Sequence, residues 1–142
     1  MLAEAIFCMA LNIYHEARSE TQKGQAAVAY TVLNRAQYRP EKICDVILDH
    51  EQFSWTNRLY KAPKADRDMI YDQLRPTDMP AWYEAKRVAQ LAIIGKIPNP
   101  IGKADHYFNP KKANPVWAKE MVHVADIGGH RFLFGGRFKE PT

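Results

Sequence analysis

The chain has 142 residues, of which 46% are hydrophobic, and a formal net charge of +4. This length predicts a single domain over residues 1–142, large enough to bury a core without disulfide support. The 20 lysines and arginines are scattered rather than clustered, so nucleic acid is not expected as a partner, whereas anionic bacterial cell wall is compatible with the charge. No apolar run approaches the roughly 20 residues that a membrane-spanning helix needs, so no membrane span is expected.

Residues 2–17 predict a helix with one apolar face. The apolar side chains on that face recur every three or four positions: Leu2, Ile6, Met9 and Ile13. Glu16 continues the same face, so a carboxyl group is expected at its end. The stretch from Ser19 to Gln22 fits a capping box, which predicts a second helix that runs to about Arg35. Small residues at positions 26–29 would let another helix pack closely against it.

The middle of the chain predicts further helices. A short amphipathic helix is expected over residues 41–49, and another short helix near residues 65–74. A stronger helix is predicted from Ala81 to Ile94, because Pro80 suits the first turn of a helix and Gly95 can end one.

The last part of the chain predicts a small β region. Residues 104–108 are expected to form a short strand, and residues 115–121 one or two helical turns. The runs 122–127 and 131–134 flank Gly128-Gly129, which is the signal of a β-hairpin. We therefore expect a mainly α domain, with a small β-hairpin region near the C-terminus.

Glu16 is the first candidate for catalysis. A carboxyl group on an apolar helix face near the helix C-terminus is partly desolvated and faces the negative end of the helix dipole, so its pKa is expected to rise. A carboxylic acid that stays protonated near neutral pH can act as a general acid toward a glycosidic oxygen. The alternative is that Glu16 pairs with Arg18 or with a lysine at the surface.

A second carboxyl group decides which glycosidase chemistry is available. Glycoside hydrolysis usually uses two carboxylates, and Glu20, one turn after Glu16, is the candidate second acid. Asp45, Asp49 and Glu51 are further candidates, but no distinctive pattern marks them. A lytic transglycosylase needs one carboxyl group, because a hydroxyl of the sugar itself attacks. One well-placed acid therefore favours transglycosylation.

Other chemistries find weaker support in the sequence. Cys8 and Cys44 fit no metal-ligand spacing; each lies in an apolar run and is predicted to be a small buried hydrophobe, with a disulfide between them left open. The histidines include no HExxH motif, so a zinc amidase is a less favoured alternative, and no metal or cofactor is expected. A nucleophilic serine is equally poorly supported, because no G-x-S-x-G motif occurs.

Five short blocks follow one another along the chain. They are Tyr14-His15-Glu16-Ala17-Arg18, Val32-Leu33-Asn34-Arg35, Gln52-Phe53-Ser54, His106-Tyr107-Phe108-Asn109-Pro110 and Ile127-Gly128-Gly129-His130-Arg131-Phe132. In this order they resemble the SleB/CwlJ family of cell-wall hydrolases, the spore-cortex-lytic type of domain that phage lysins also contain. The resemblance covers nearly the whole chain. It implies a lysozyme-like, mainly helical fold.

The resemblance also implies an activity and a site. Peptidoglycan would be cleaved between N-acetylmuramic acid and N-acetylglucosamine, with Glu16 as the catalytic glutamate. The groove that holds the sugars would be lined by Gln52, Phe53, Ser54, Tyr107 and Asn109. We expect a lytic transglycosylase in which Glu16 is general acid and then base. A hydrolytic muramidase of the same fold, a zinc N-acetylmuramoyl-L-alanine amidase and a non-catalytic wall-binding domain are the alternatives.

The start of the chain bears on where the protein acts. The N-terminal apolar run lacks a basic region and contains Glu4, so no signal peptide is expected. A separate wall-binding module is not expected either. These two features favour a monomeric phage endolysin that is made in the host cytoplasm and reaches the wall with the help of a holin.

Overall fold

The computed structural model describes residues 2–49, 55 and 74–136. The α-helices in this part of the chain are α1 (Leu2–Ala17), α2 (Gln22–Arg35), α3 (Ile43–Leu48) and α4 (Met79–Ile93). Short 3₁₀ helices cover Pro40–Lys42 and Val116–Glu120. The helix predicted near residues 65–74 lies largely outside the described residues. None of the helices described is both long and apolar enough to cross a membrane.

Helix α2 forms the centre of the core. Every residue from position 24 to position 33 is buried, and α1 and α4 both pack against this helix. Ala26, Ala27 and Ala29 present no side chain beyond Cβ, so the neighbouring helices can approach closely. The prediction that small residues allow such packing is confirmed.

The start of α2 differs from the prediction in its capping residue. Thr21 is the N-cap, and its hydroxyl oxygen accepts a hydrogen bond from Gly24 N at 3.2 Å. Ser19, which the capping-box pattern indicated, is exposed in the turn after α1. The reason is that the chain needs residues 18–21 to turn between the two helices, and Glu20 directs its carboxyl group toward Gly129.

The predicted hairpin is confirmed and belongs to a three-stranded antiparallel sheet. Its strands are β1 (His106–Phe108), β2 (Val122–Ile127) and β3 (His130–Phe134), in the order β1-β3-β2. Gly128 lies in the turn between β2 and β3 with a φ of 57°, a left-handed conformation that glycine adopts without steric cost. The short strand expected over residues 104–108 pairs with the other edge of β3. The mainly helical fold with a small β region is therefore confirmed.

Two polar residues at the end of α2 attach the sheet to the helices. Asn34 Nδ2 donates to the carbonyl oxygens of Gly102 and Ala104 at 2.9 and 2.8 Å. Arg35 Nε donates to the carbonyl oxygen of Asp105 at 2.6 Å, and burial lowers the pKa of this guanidinium to about 10. The backbone just before β1 is thereby held against α2. The block Val32-Leu33-Asn34-Arg35 therefore has a structural role, because its two polar residues hold the chain that leads into β1.

The two cysteines correct a prediction. Cys8 in α1 and Cys44 in α3 form a disulfide, with 5.4 Å between their Cα atoms. Both residues are half-buried, not the enclosed small hydrophobes that their apolar surroundings indicated. Each lies on the side of its helix that faces the other helix, so the bond joins α1 to α3.

Candidate active site

A cavity of about 530 Å³ opens where α1 ends. One wall comes from residues 15–20, at the end of α1 and in the following turn, and the other from residues 107–113, which include the end of β1. His130, the first residue of β3, completes the wall. The cavity thus lies between the helices and the small sheet.

The structure brings four of the predicted site residues to this cavity. They are Glu16, Glu20, Tyr107 and Asn109. Gln52, Phe53 and Ser54 lie outside the described residues, so their predicted place in the sugar groove stays a prediction.

Glu16 lies in the last turn of α1 and is half-buried. Met9 and Ile13, on the face that the spacing predicted, are fully buried, whereas Leu2 at the start of that face is 47% exposed. The Glu16 carboxyl group therefore ends a face that is buried in its later turns only. When it is ionised, the Glu16 carboxyl group acts on the hydroxyl of Tyr107 through its negative charge. Burial raises the pKa of that hydroxyl well above its ordinary value, and Glu16 raises it further. Tyr107 therefore stays protonated beside the candidate acid.

Asn12, one helical turn before Glu16, connects three segments beneath the cavity. It is fully buried, and its Oδ1 accepts a hydrogen bond from Trp55 Nε1 at 2.8 Å. Its amide also faces the Tyr107 hydroxyl and partly offsets the rise in the pKa of that group. Sequence reasoning missed Asn12, although a polar residue on an otherwise apolar helix face was a signal for it.

His15 lines the cavity next to Glu16. Its ring stacks on Trp55, with 4.7 Å between the ring centroids. Burial lowers the pKa of His15, and the positive charge of Arg18 lowers it further, although a hydrogen bond with the backbone of Leu74 opposes the shift. The imidazole is therefore neutral near pH 7. The sequence indicated only a supporting group here.

Tyr14 and Arg18 fix the helices that carry the site. The Tyr14 hydroxyl accepts hydrogen bonds from Thr77 N at 3.1 Å and Asp78 N at 3.0 Å, at the start of α4. Arg18 Nη1 donates to the same hydroxyl at 2.7 Å, and its guanidinium lies over the ring. These two residues of the motif thus hold α4 against the end of α1.

Glu20 and His130 both line the cavity and approach each other there. Glu20 Oε1 accepts a hydrogen bond from Gly129 N at 3.0 Å, and His130 Nδ1 lies 4.0 Å from the same oxygen. His130 is 8% exposed, and burial lowers its pKa. Glu20 opposes that shift and the positive charge of Lys112 reinforces it. His130 was not predicted as a site residue, although it follows the hairpin glycines directly.

Within residues 2–49, 55 and 74–136, no three side chains of histidine, cysteine, aspartate or glutamate are grouped so that they could hold a metal ion.

The chain is similar to cell-wall enzymes over most of its length. Residues 19–133 match the model of a family described as Cell Wall Hydrolase. A spore cortex-lytic enzyme of Oceanobacillus iheyensis is 30% identical over 128 residues, which are 87% of this chain and 39% of that protein. One from Bacillus cereus is 33% identical over 126 residues, which are 87% of this chain and 42% of that protein. The chain thus spans about two fifths of the length of these curated relatives.

Two solved structures share the fold. The catalytic domain of the Bacillus cereus SleB protein superposes with a TM-score of 0.66 at 31% identity, covering 92% of this chain and 90% of that one. The catalytic domain of the germination-specific lytic transglycosylase SleB from Bacillus anthracis gives 0.61 at 30% identity, covering 91% and 93%. These likenesses confirm the predicted lysozyme-like fold.

Proposed function

Because the chain belongs to the cell wall hydrolase family, we propose that residues 1–142 form one catalytic domain that degrades peptidoglycan. The bond cleaved is the one between N-acetylmuramic acid and N-acetylglucosamine in the glycan strand. The observation that carries this proposal is the place of Glu16, which is half-buried at the end of α1 in the wall of a 530 Å³ cavity. A cavity of this size suits a ligand with several polar and apolar groups.

The reaction we propose is lytic transglycosylation with Glu16 as its acid and base. The Glu16 carboxyl group donates its proton to the glycosidic oxygen as the bond between that oxygen and the muramic acid C1 breaks. The carboxylate then takes the proton of the muramic acid C6 hydroxyl, whose oxygen bonds to C1 and forms a 1,6-anhydro ring. Glu16 thus regains the proton that it donated, and the reaction consumes no water. One of the solved relatives is described as a lytic transglycosylase, which supports this choice.

The other polar groups of the cavity suit a neutral, hydroxyl-rich ligand. Tyr107 stays protonated beside Glu16 because its pKa is raised. Asn109 Oδ1 accepts a hydrogen bond from Lys111 N at 2.9 Å, which orients the amide in the turn after β1. We propose that Tyr107, whose hydroxyl is itself buried, contacts the sugars through its ring, and that Asn109 contacts them with its amide as a hydrogen-bond donor.

A hydrolytic muramidase is the second candidate function. The observation that favours it is the presence of Glu20 in the same cavity as Glu16, since a second carboxylate could activate water. The zinc amidase would instead cut the bond between the sugar and its peptide.

Glu16→Gln tests the central role. General acid and base catalysis contributes about 10²–10⁴-fold, so we expect lysis of purified peptidoglycan by this variant to fall by that factor without a change in melting temperature. Glu4→Gln is a matched control, because Glu4 is an exposed carboxylate at the other end of α1. Lysis by Glu16→Gln at the rate of the control would refute the proposal.

Mass spectrometry of the released fragments separates the candidate functions. Transglycosylation gives 1,6-anhydromuramic ends, which are lighter by one water than the ends that hydrolysis leaves. Free amino groups on intact glycan strands would identify an amidase and contradict glycan cleavage.

We propose that the protein acts outside the cytoplasm, on the cell wall, as an endolysin released through a holin, and as a monomer. The Cys8–Cys44 disulfide supports the destination, because disulfides persist mainly in oxidising compartments. Expression in a bacterial cytoplasm, with and without a co-expressed holin, tests the route. Lysis that does not depend on the holin would contradict it.

A further inference from the structure

The carboxyl group of Glu20 is enclosed by backbone from two parts of the chain. Its side chain is 20% exposed, and Oε1 accepts the N–H of Gly129 at 3.0 Å. Residue 129 lies in the turn between β2 and β3, 109 positions further along the chain. A carboxylate that accepts a backbone N–H makes a charge-assisted hydrogen bond, about twice as strong as a neutral one.

Three glycines leave the space that this side chain occupies. A Cβ atom at Gly128 would overlap Glu20 Oε2, and one at Gly129 would lie 3.0 Å from Oε1. On the other side, a Cβ atom at Gly24 in α2 would lie 3.0 Å from the Glu20 Cβ. The hairpin turn and the first turn of α2 are therefore shaped to the Glu20 side chain.

This arrangement suits a structural contact better than a catalytic one. A base or nucleophile must present a carboxylate oxygen to the reacting atoms. In Glu20, Oε1 is engaged by the Gly129 N–H and Oε2 lies against the backbone of Gly128. Within the part of the chain that the structure describes, Glu20 has an ionisable neighbour in His130, whose Nδ1 is 4.0 Å from Oε1, which is too long for a hydrogen bond. The backbone N–H is thus the contact that holds the carboxyl group.

The hydrogen bond between Glu20 and Gly129 also affects the surroundings of the candidate acid, because the turn is joined to residues of the cavity wall. The turn leads directly into His130, whose ring packs edge-on against Tyr107, with 5.1 Å between the centroids. Tyr107 in turn lies close enough to Glu16 for the charge of Glu16 to raise its pKa. A shift of the hairpin turn would therefore move His130 and Tyr107 relative to Glu16.

We propose that Glu20 is a positioning residue, which holds the turn between β2 and β3 against the end of α1 and so sets the width of the cavity. It does not act as the second acid of a hydrolytic reaction. This inference rests on the proposed function insofar as it leaves Glu16 as the sole catalytic carboxyl group.

Two substitutions of Glu20 distinguish the effect of its side-chain length from the effect of its negative charge. Glu20→Gln keeps an acceptor oxygen at the same reach and removes the charge, whereas Glu20→Asp keeps the charge and withdraws the oxygen by one methylene. If Glu20 positions the turn, we expect Glu20→Gln to retain most of the wild-type kcat on soluble glycan fragments. For Glu20→Asp, loss of the hydrogen bond should raise KM by about tenfold, a larger change than that in kcat.

A measurement without substrate tests the contact itself. Hydrogen exchange of the Gly129 amide should be about tenfold faster in Glu20→Asp than in Glu20→Gln or the wild type. The Gly135 amide is an internal control, because it donates to Asp105 Oδ1 at 2.8 Å and has no contact with Glu20. This result is expected even for a chain that fails to cleave glycan, so it separates failure of the contact from failure of the proposed function.

Two outcomes would overturn the assignment. Glu20→Gln could lose activity as severely as Glu16→Gln while melting like the wild type, which would make Glu20 a catalytic carboxylate. Alternatively, Gly129 exchange and KM could both stay at wild-type values in Glu20→Asp, which would show that the contact does not position the turn.

Discussion

Trp55 donates its indole N–H to Asn12 Oδ1 at 2.8 Å, directly beneath the candidate active site. Asn12 is fully buried one turn before Glu16, and the Trp55 ring also stacks on His15. The Trp55 side chain is thus attached to the helix that carries the candidate acid.

The first prediction concerns this hydrogen bond. Asn12→Leu leaves the Trp55 N–H without its acceptor, and we expect a loss of about 1–3 kcal/mol in the free energy of unfolding. Trp55→Phe leaves the Asn12 oxygen without its donor. The double variant should be more stable than the sum of the single losses predicts, with a coupling energy of about 1 kcal/mol in urea unfolding. Additive losses would mean that the two side chains do not interact.

The second prediction uses the glycine that faces Glu20. Gly128→Ala places a left-handed alanine in the turn at a cost of about 1–2 kcal/mol, and its Cβ would also collide with Glu20 Oε2. Gly95→Ala is the matched control, because Gly95 has a φ of 73° but no atom within 4 Å of the added Cβ. We expect Gly128→Ala to lower the melting temperature more than Gly95→Ala does. Equal shifts would argue against close packing between the turn and Glu20.

In a Glu20→Ala background the added Cβ atom has no Glu20 carboxyl group to collide with. Gly128→Ala and Gly95→Ala should then lower the melting temperature by similar amounts. An extra cost that persists in this background would have to come from another neighbour of the turn.

The third prediction concerns acidity. Burial lowers the pKa values of His15 and His130 below the ordinary histidine value of 6.5. The unfolded chain therefore binds protons at a higher pH than the folded chain does. The stability that these neutral rings contribute is fully present above pH 6.5 and is lost as the pH falls through the lowered pKa values of the folded state.

Urea unfolding of Glu16→Gln, which lacks the carboxyl group whose pKa is expected to be raised, should therefore show decreasing stability between pH 7.5 and pH 5. Carboxylates with ordinary pKa values near 4 hardly titrate in this range. His130→Asn should make this decrease smaller. Stability that stays constant or rises on acidification to pH 5 would contradict the prediction.

The fourth prediction concerns the disulfide. It closes a loop with a sequence separation of 36, and the chain-entropy relation assigns such a loop about 4 kcal/mol of stability. We expect a reducing agent to lower the melting temperature clearly. The double variant Cys8→Ala and Cys44→Ala should melt at the lower temperature and be insensitive to the reducing agent. A wild-type protein that melts equally with and without reductant would show that the bond contributes little.

Much of the fold could be predicted because its signals are local. Three such signals are the apolar spacing of residues 2–17, the proline in the first turn of α4 with the glycine after its end, and the Gly128-Gly129 turn. Each depends on neighbours within a few positions. The capping residue of α2 was missed because Thr21 and Ser19 both suit an N-cap, and only the path of the turn distinguishes them. The place of Glu16 in the cavity wall could be anticipated because this residue ends an apolar stripe, which is a local pattern as well.

The sequence by itself determined the four α-helices within the described residues, the hairpin and the position of one carboxyl group at the end of an apolar helix face. Only the tertiary structure decided that Cys8 bonds to Cys44, that His130 and Tyr107 lie opposite Glu16, and that Glu20 meets a backbone N–H 109 residues away. Periodicity and turn propensity report on contacts along one segment. The partner of a buried polar group is set instead by which distant segments pack together, and that choice minimises the free energy of the whole fold rather than of any one stretch.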